Sequence, residues 1–175
     1  MLDAVLTQNP DRDETFRDLL LTWARDARSL ATWMLRDADS GDDAVQEAAL
    51  LGWRRRSALR DIGRAESWLN QILVNVCRQE LRRRAKQVVT IPAVESVDGH
   101  DGRVAERDEI AAAMACLKPD EQIVVALRYG RDLSIPQIAS QTGLREGTVK
   151  SRLHYALEHL KSALAAQHVR DEADR

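Results

Sequence analysis

Residues 134–153 read SIPQIASQTGLREGTVKSRL, and the fold follows from this stretch. Ser134 with Gln137 three positions on forms a capping box that opens a short helix ending before Gly143, and a longer helix runs from about Glu146 to Ala165. Short helix, glycine turn and longer helix is helix-turn-helix grammar. Ile138 and Ala139 pack the first helix, the small residue at 139 because the two helices approach closely there. Leu144, Val149 and Leu153 hold the second helix against it. On the long helix Val149, Leu153, Ala156 and Leu160 share one face, so Gly147, Ser151, His154 and Tyr155 project from the opposite one, with Lys150 at its edge. Such groups fit a major groove. Lys150 can donate to guanine acceptors or to phosphate, and Ser151 can bond either partner of a pair. The backbone near Gly147 and Thr148 lies at a helix N-terminus, a natural phosphate site. The alternative is the wet face of a plain helical hairpin, and the spacing of Gly143 together with the polar outer face argues against it.

Upstream, a short helix over about 104–116 precedes one that starts with Pro119 in its first turn and runs to about Tyr129, where Gly130 stops it. Residues 88–104 hold a proline, two glycines, three acids and no helical period, which reads as a linker between two small domains. As a coil it spans about 20–25 Å on average and roughly 55–60 Å when extended, enough to hold two domains apart on one long partner. The domains are then 1–87 and 105–175.

The first domain also repeats at helical spacing, and no segment alternates as a half-buried strand does, so the chain is all-α. A first helix over 13–36 aligns Phe16, Leu19, Leu20, Trp23, Ala27, Leu30 and Met34, with Asp11 or Asp13 available as N-cap. After a turn at Asp39-Ser40-Gly41, a second helix from Asp42 turns Val45, Ala48, Ala49 and Trp53 inward and leaves Asp43, Gln46 and Glu47 outside. A loop over 57–66 leads to a third helix, 66–86, which buries Trp68, Leu69, Ile72, Leu73, Val76 and Leu81 and ends in Arg82, Arg83, Arg84 and Lys86.

With 175 residues, 44% hydrophobic and 31% charged, the chain suits one medium or two small soluble domains and excludes a large multidomain enzyme. It lacks an 18-residue apolar run, and its N-terminus MLDAVLTQNPDRDE has no basic lead, so neither a membrane span nor a secretory signal is expected and the chain reads as cytoplasmic. Cys77 and Cys116 show no CxxC spacing and are expected to be reduced, buried thiols rather than a disulfide or metal site. The four histidines, His100, His154, His159 and His168, make no metal spacing, and no phosphate loop or nucleophile motif appears, so no catalytic residue, metal or cofactor is expected.

The net charge of −2 hides four blocks: −6 over 1–50, +7 over 51–90, −5 over 91–127 and +2 over 128–175. Phosphate responds to the local field of a patch, so 51–90 is a candidate nucleic-acid face, the alternative being a solvated Arg-rich helix surface.

Two motifs resemble extracytoplasmic-function (group IV) bacterial sigma factors over nearly the whole chain. DDAVQEA at 42–48 followed by Trp53, and Ser67-Trp68-Leu69 with Ile72 and Asn75, look like the family's region two. Leu117 to Gln122, Leu127-Arg128-Tyr129, Leu133-Ser134, Ile138-Ala139 and 147–153 look like region four. The resemblance implies a factor that binds core RNA polymerase, directs it to promoter DNA and helps melt it, without covalent chemistry. Asp43, Gln46 and Glu47 would then meet the beta-prime clamp helices. The loop around Arg60, Arg64 and Ser67, with Asn75 at its base, would capture a flipped base of the minus-ten element. Arg78, Arg82, Arg83 and Arg84 would follow the DNA backbone. Lys150, Ser151, His154 and Tyr155 would read the minus-thirty-five element, with Arg128, Gly147 and Thr148 as phosphate positioners. The surface around Ile123 to Leu127 would seat the beta flap, the acidic linker would thread through the polymerase, and an anti-sigma factor is implied.

Two departures from the family pattern bear on specificity. His154 and Tyr155 stand where many relatives carry an aromatic and an arginine, and Ala48, Ala49, Asn70 and Gln71 replace aromatics often seen around region two. A different base preference and an under-aromatic core are expected. Two other readings stay open: a decoy that sequesters an anti-sigma factor, which would need neither basic runs nor an intact helix-turn-helix, and a stand-alone repressor, which would bind a palindromic duplex without polymerase.

Overall fold

The computed structural model describes residues 10–88 and 113–173, all helices and turns among the described residues. The expected linker over 88–104 lies almost wholly outside them, as does most of the expected helix over 104–116. The first helix, α1, spans Pro10–Leu35. Asp11 and Asp13 sit inside its first turn rather than at its cap, where their charge suits the positive helix end. Phe16, Trp23, Ala27, Leu30 and Met34 are buried as expected, and Leu19 and Leu20 pack at the margin of the core.

The second helix, α2, spans Ala38–Arg55 and so begins four residues before the expected start. Arg36 adopts φ 57° and turns the chain, and Asp37, in extended conformation, accepts a hydrogen bond from Ser40 N at 3.0 Å. This cap draws Asp39-Ser40-Gly41 into the helix instead of leaving them as a turn. Gly41 serves a close approach: a Cβ there would stand 2.7 Å from Thr32 Oγ1 and 2.8 Å from Thr32 N on α1. The expected loop over 57–66 is two 3₁₀ turns, Arg56–Ala58 and Ile62–Arg64, the second capped by Asp61 accepting from Gly63 N. The third helix, α3, follows at Ala65–Val88.

Arg56 fastens this unit. Its guanidinium donates to both carboxylate oxygens of Asp13 at 2.8 and 2.9 Å and lies 4.3 Å over the Trp53 ring, tying the start of α1 to the end of α2. The Phe16 ring stands 6.2 Å from Trp53 and 6.4 Å from Trp68, so three of the chain's few aromatic side chains meet at one end of the bundle. Where relatives are expected to hold an aromatic, Asn70 is buried and accepts from Trp23 Nε1.

In the second half, residues 113–115 are helical and lead to α4, Pro119–Val125, which widens into a π-turn over Ala126–Gly130. Glu121 is buried because it caps α4, accepting from Lys118 N at 3.0 Å, and faces His159 Nδ1 at 3.0 Å. Next is α5, Ile135–Thr142, where Gln137 Oε1 accepts from Ser134 N and Oγ as the capping box requires. Gly143 takes φ 70°, the left-handed conformation that favours glycine, and α6 spans Glu146–Ala173, beyond the expected end near 165. Cys77 is buried but Cys116 is exposed, because it lies on the bend before α4 and not on a packed helix face.

The two halves touch. Gly130 has room only for the Trp33 ring of α1, whose Cε3 would stand 3.3 Å from an added Cβ, and Gln71 Nε2 of α3 donates to Ser140 O of α5 at 2.9 Å.

Candidate nucleic-acid interface

The helix-turn-helix is α5, the Gly143 turn and α6. Ile138, Val149, Leu153 and Ala156 are buried, and Ala139, Leu144 and Leu160 pack against them. Gly147, Lys150, Ser151, His154 and Tyr155 are exposed on the opposite side of α6, and Thr148 is half-buried. Ser151 Oγ donates to Thr148 O at 3.0 Å, and the His154 and Tyr155 rings meet edge-on at 5.7 Å. No side chain is needed at Gly147, where an added Cβ would meet nothing within 4 Å, so a phosphate can approach the backbone there. Arg128, expected at a phosphate, is half-buried and its Nη1 donates to Leu133 O at 2.9 Å, bracing the turn after the π-turn.

The basic helix α3 divides into two groups. Arg83 and Arg84 bond Glu80 at 2.8 Å, and Arg84 also donates to Leu35 O at the end of α1. The Arg83 hydrogen bond, helped by that of Arg84, lowers the Glu80 carboxyl to a pKa of about 2. Arg78 and Arg82 instead face Asp120 of α4, at 3.0 and 3.1 Å, and Arg152 of α6 reaches the same carboxylate at 3.4 Å. The Arg78 Nε and Asp120 Oδ1 atoms are buried and close but not aligned as a hydrogen bond. Arg78 Nη1 donates to Asn75 Oδ1 at 2.8 Å.

The expected base-capturing group is only partly brought together. Arg60 and Arg64 line one cleft of about 370 Å³ with Ala58, Leu59, Asp61 and Trp68, a size within the small-ligand range. Ser67 is exposed on the adjoining first turn of α3. Asn75 is not at the base of this cleft: it lies eight residues from Ser67, about 12 Å along the helix, with Arg78. Trp68, expected in the core, packs against it and also lines the cleft. Asp120 was missed by sequence reasoning, although the juxtaposed +7 and −5 blocks carried the signal of an internal pairing.

On α2, Asp43, Gln46 and Glu47 are exposed beside buried Ala44, Val45 and Ala48, which makes a polar rim on an apolar helix. The surface expected from Ile123 to Leu127 is not exposed: all five residues are buried, since α4 packs between α3 and α6. Among the described residues no helix is long and apolar enough to cross a membrane, and no cluster of three His, Cys, Asp or Glu could hold a metal.

A bundle closed by a basic helix, joined to a helix-turn-helix with an open polar face, defines a bipartite DNA-binding protein. Residues 19–87 match the family described as Sigma-70 region 2, and residues 107–160 that described as Sigma-70, region 4. The chain is 35% identical over 135 residues to the ECF RNA polymerase sigma factor SigL of Mycobacterium tuberculosis, covering 73% of this chain and 76% of the relative. It is 30% identical over 155 residues to the RNA polymerase sigma-E factor of Streptomyces coelicolor, covering 87% and 84%. In fold it resembles the sigma factor RpoE of Bartonella quintana, solved with the anti-sigma factor NepR, at TM-score 0.65 and 24% identity over 86% of this chain and 96% of that one. It also resembles CnrH, solved with the cytosolic domain of CnrY, at TM-score 0.58 and 20% identity over 86% and 88%. The chain belongs to the ECF RNA polymerase sigma factors, a family of transcription initiation factors and not of enzymes.

Proposed function

We propose that this chain directs core RNA polymerase to promoters by assigning three tasks to three surfaces. Residues 1–87 form the unit that holds polymerase and the melted strand, residues 105–175 form the unit that reads duplex DNA, and residues 88–104 connect them. Asp43, Gln46 and Glu47 on α2 meet the beta-prime clamp helices; their support is an exposed acidic and amide rim on an otherwise buried face. The cleft of Arg60, Arg64 and Trp68 accepts an unstacked base of the minus-ten strand, where an aromatic ring gives stacking and the guanidiniums give edge and phosphate contacts. Ser67, Asn75, Arg78 and the run Arg82 to Arg84 flank that strand on α3. Lys150, Ser151, His154 and Tyr155 read the minus-thirty-five duplex from α6, with Gly147 and Thr148 at the phosphate.

The observation that carries this reading is the open outer face of α6, which presents five exposed groups at helical spacing behind a fully packed inner face. An anti-sigma protein is a further partner, supported by the similarly folded RpoE solved with the anti-sigma factor NepR, and the working compartment is the cytoplasm, where polymerase acts. The decoy reading loses support from the same face, since sequestering a protein requires no groove-reading helix.

The test uses the chain assembled with core polymerase. Lys150→Ala weakens binding to a minus-thirty-five duplex by about 1–3 kcal/mol and leaves capture of a single-stranded minus-ten oligonucleotide intact. The pair Arg60→Ala and Arg64→Ala does the reverse. Equal losses of both activities in both variants would contradict the division of labour.

A further inference from the structure

We propose that Asp120 latches the two halves of the free chain together by taking the place of a DNA phosphate at Arg78 on the basic side of α3, withdrawing Arg78 while leaving the α6 reading face open. The inference rests on the reading of α3 as a DNA-contacting helix. Asp120 stands 3.0 Å from Arg78, 3.1 Å from Arg82 and 3.4 Å from Arg152, so one carboxylate from the second half is shared by two guanidiniums of α3 and one of α6. Two further contacts lie on the same side of α3, while Gly130 and Arg131 meet α1 at Trp33 and at Asp26 O. Gln71 Nε2 donates to Ser140 O at 2.9 Å, and Arg78 Nη2 donates to Thr142 O at 3.3 Å. Arg78, at 15% side-chain exposure, is thereby withdrawn from any external anion.

The charge balance makes this contact replaceable. Three cations around one anion leave an excess of two positive charges, and Arg78 Nε and Asp120 Oδ1 lack hydrogen-bond alignment. A nucleic-acid strand carrying successive phosphates satisfies these arginines better than a single carboxylate. Lys150, Ser151, His154 and Tyr155 remain exposed in the closed arrangement, so duplex reading needs no opening, whereas access to Arg78 does; Asn75 and Arg82 keep exposed surface beside the latch. The chain would therefore engage the duplex element first and release α3 only when a stronger polyanion or polymerase displaces Asp120.

The test bridges the closed faces in the full chain. Gln71→Cys and Ser140→Cys are introduced with Cys116→Ser, and the two thiols are joined by a short bis-maleimide; the control is the same chain capped with N-ethylmaleimide. The probes are a labelled mixed-sequence single-stranded oligonucleotide and its duplex. The bridged chain is expected to bind the single strand about tenfold more weakly than the capped chain and the duplex equally well. Asp120→Asn, unbridged, is expected to bind the single strand several-fold more tightly and to show a larger radius of gyration by small-angle X-ray scattering. Failure of the thiols to bridge, equal single-strand binding by bridged and capped chains, or an unchanged radius in Asp120→Asn would overturn the latch. If no form binds the single strand while Asp120→Asn still expands, the latch stands and the DNA-contacting reading of α3 fails.

Discussion

Trp23 Nε1 on α1 donates to Asn70 Oδ1 on α3 at 2.9 Å, a buried hydrogen bond between residues 47 apart in sequence. It gives the amide at 70 the partner that a buried polar group requires. Trp23→Phe leaves that carbonyl unsatisfied and is expected to cost about 1–3 kcal/mol in urea unfolding, as is Asn70→Leu, which strands the indole N–H. The double variant recovers much of the loss, because no polar group is then left alone. Additive losses would show that the two groups act independently.

Two glycines separate stability from binding. Gly41→Ala forces a Cβ onto the Thr32 backbone, which cannot swing away as a side-chain tip could, and is expected to destabilise by about 1–3 kcal/mol. Gly147→Ala meets nothing within 4 Å and gains helix propensity, so its thermal midpoint holds or rises, by up to about 1 kcal/mol of stability, while duplex binding falls. A Gly147→Ala chain that bound duplex DNA normally would remove the phosphate from that position.

Glu80 provides an acid-range signature. Its pKa falls from 4.5 to about 2 in the folded chain, the Arg83 hydrogen bond acting first and that of Arg84 after it. A carboxylate with a depressed folded pKa stabilises above its unfolded value and loses that contribution as pH falls through the folded one. The Glu80 contribution is thus complete above about pH 4.5 and gone near pH 2, and solvent screening keeps it to about 1 kcal/mol or less. Glu80→Gln should flatten this part of the acid unfolding curve and leave stability near neutrality lower by the same amount.

The two cysteines should react in separate phases. Burial pushes the Cys77 thiol up to about 12, so at pH 8 it has almost no thiolate, whereas Cys116 lies exposed on the bend before α4. A disulfide exchange reagent is expected to modify one thiol promptly in the native chain and the second only after denaturant is added. Two prompt equivalents would place Cys77 outside the core.

What the sequence made legible was whatever a local period or cap encodes. The α6 faces, the Gln137 capping box and the left-handed Gly143 are all set within a few residues of one another, and all three stand as read. The start of α2 was not legible, because DSGDD has turn composition and only the Asp37 cap and the close approach of Gly41 to Thr32 make it helical. The run Ile123 to Leu127 could be read as an exposed apolar surface until the packing of α3 and α6 around it was known. Asn75 shares a face with Ser67 in the helical repeat, yet two turns of α3 separate it from the cleft. Asp120 pairs with residues 38 and 42 positions away and with Arg152, a relation that no local pattern carries.

The most direct test of the account is assembly with polymerase. The purified full chain is mixed with sigma-free bacterial core RNA polymerase and run on gel filtration, alone and with Gln46→Ala and Glu47→Ala combined. These two side chains are exposed and support no core contact, so the double variant should fold normally. The parent chain is expected to elute with the core enzyme, and the double variant to do so measurably less. A folded parent chain that elutes apart from the core enzyme would contradict it.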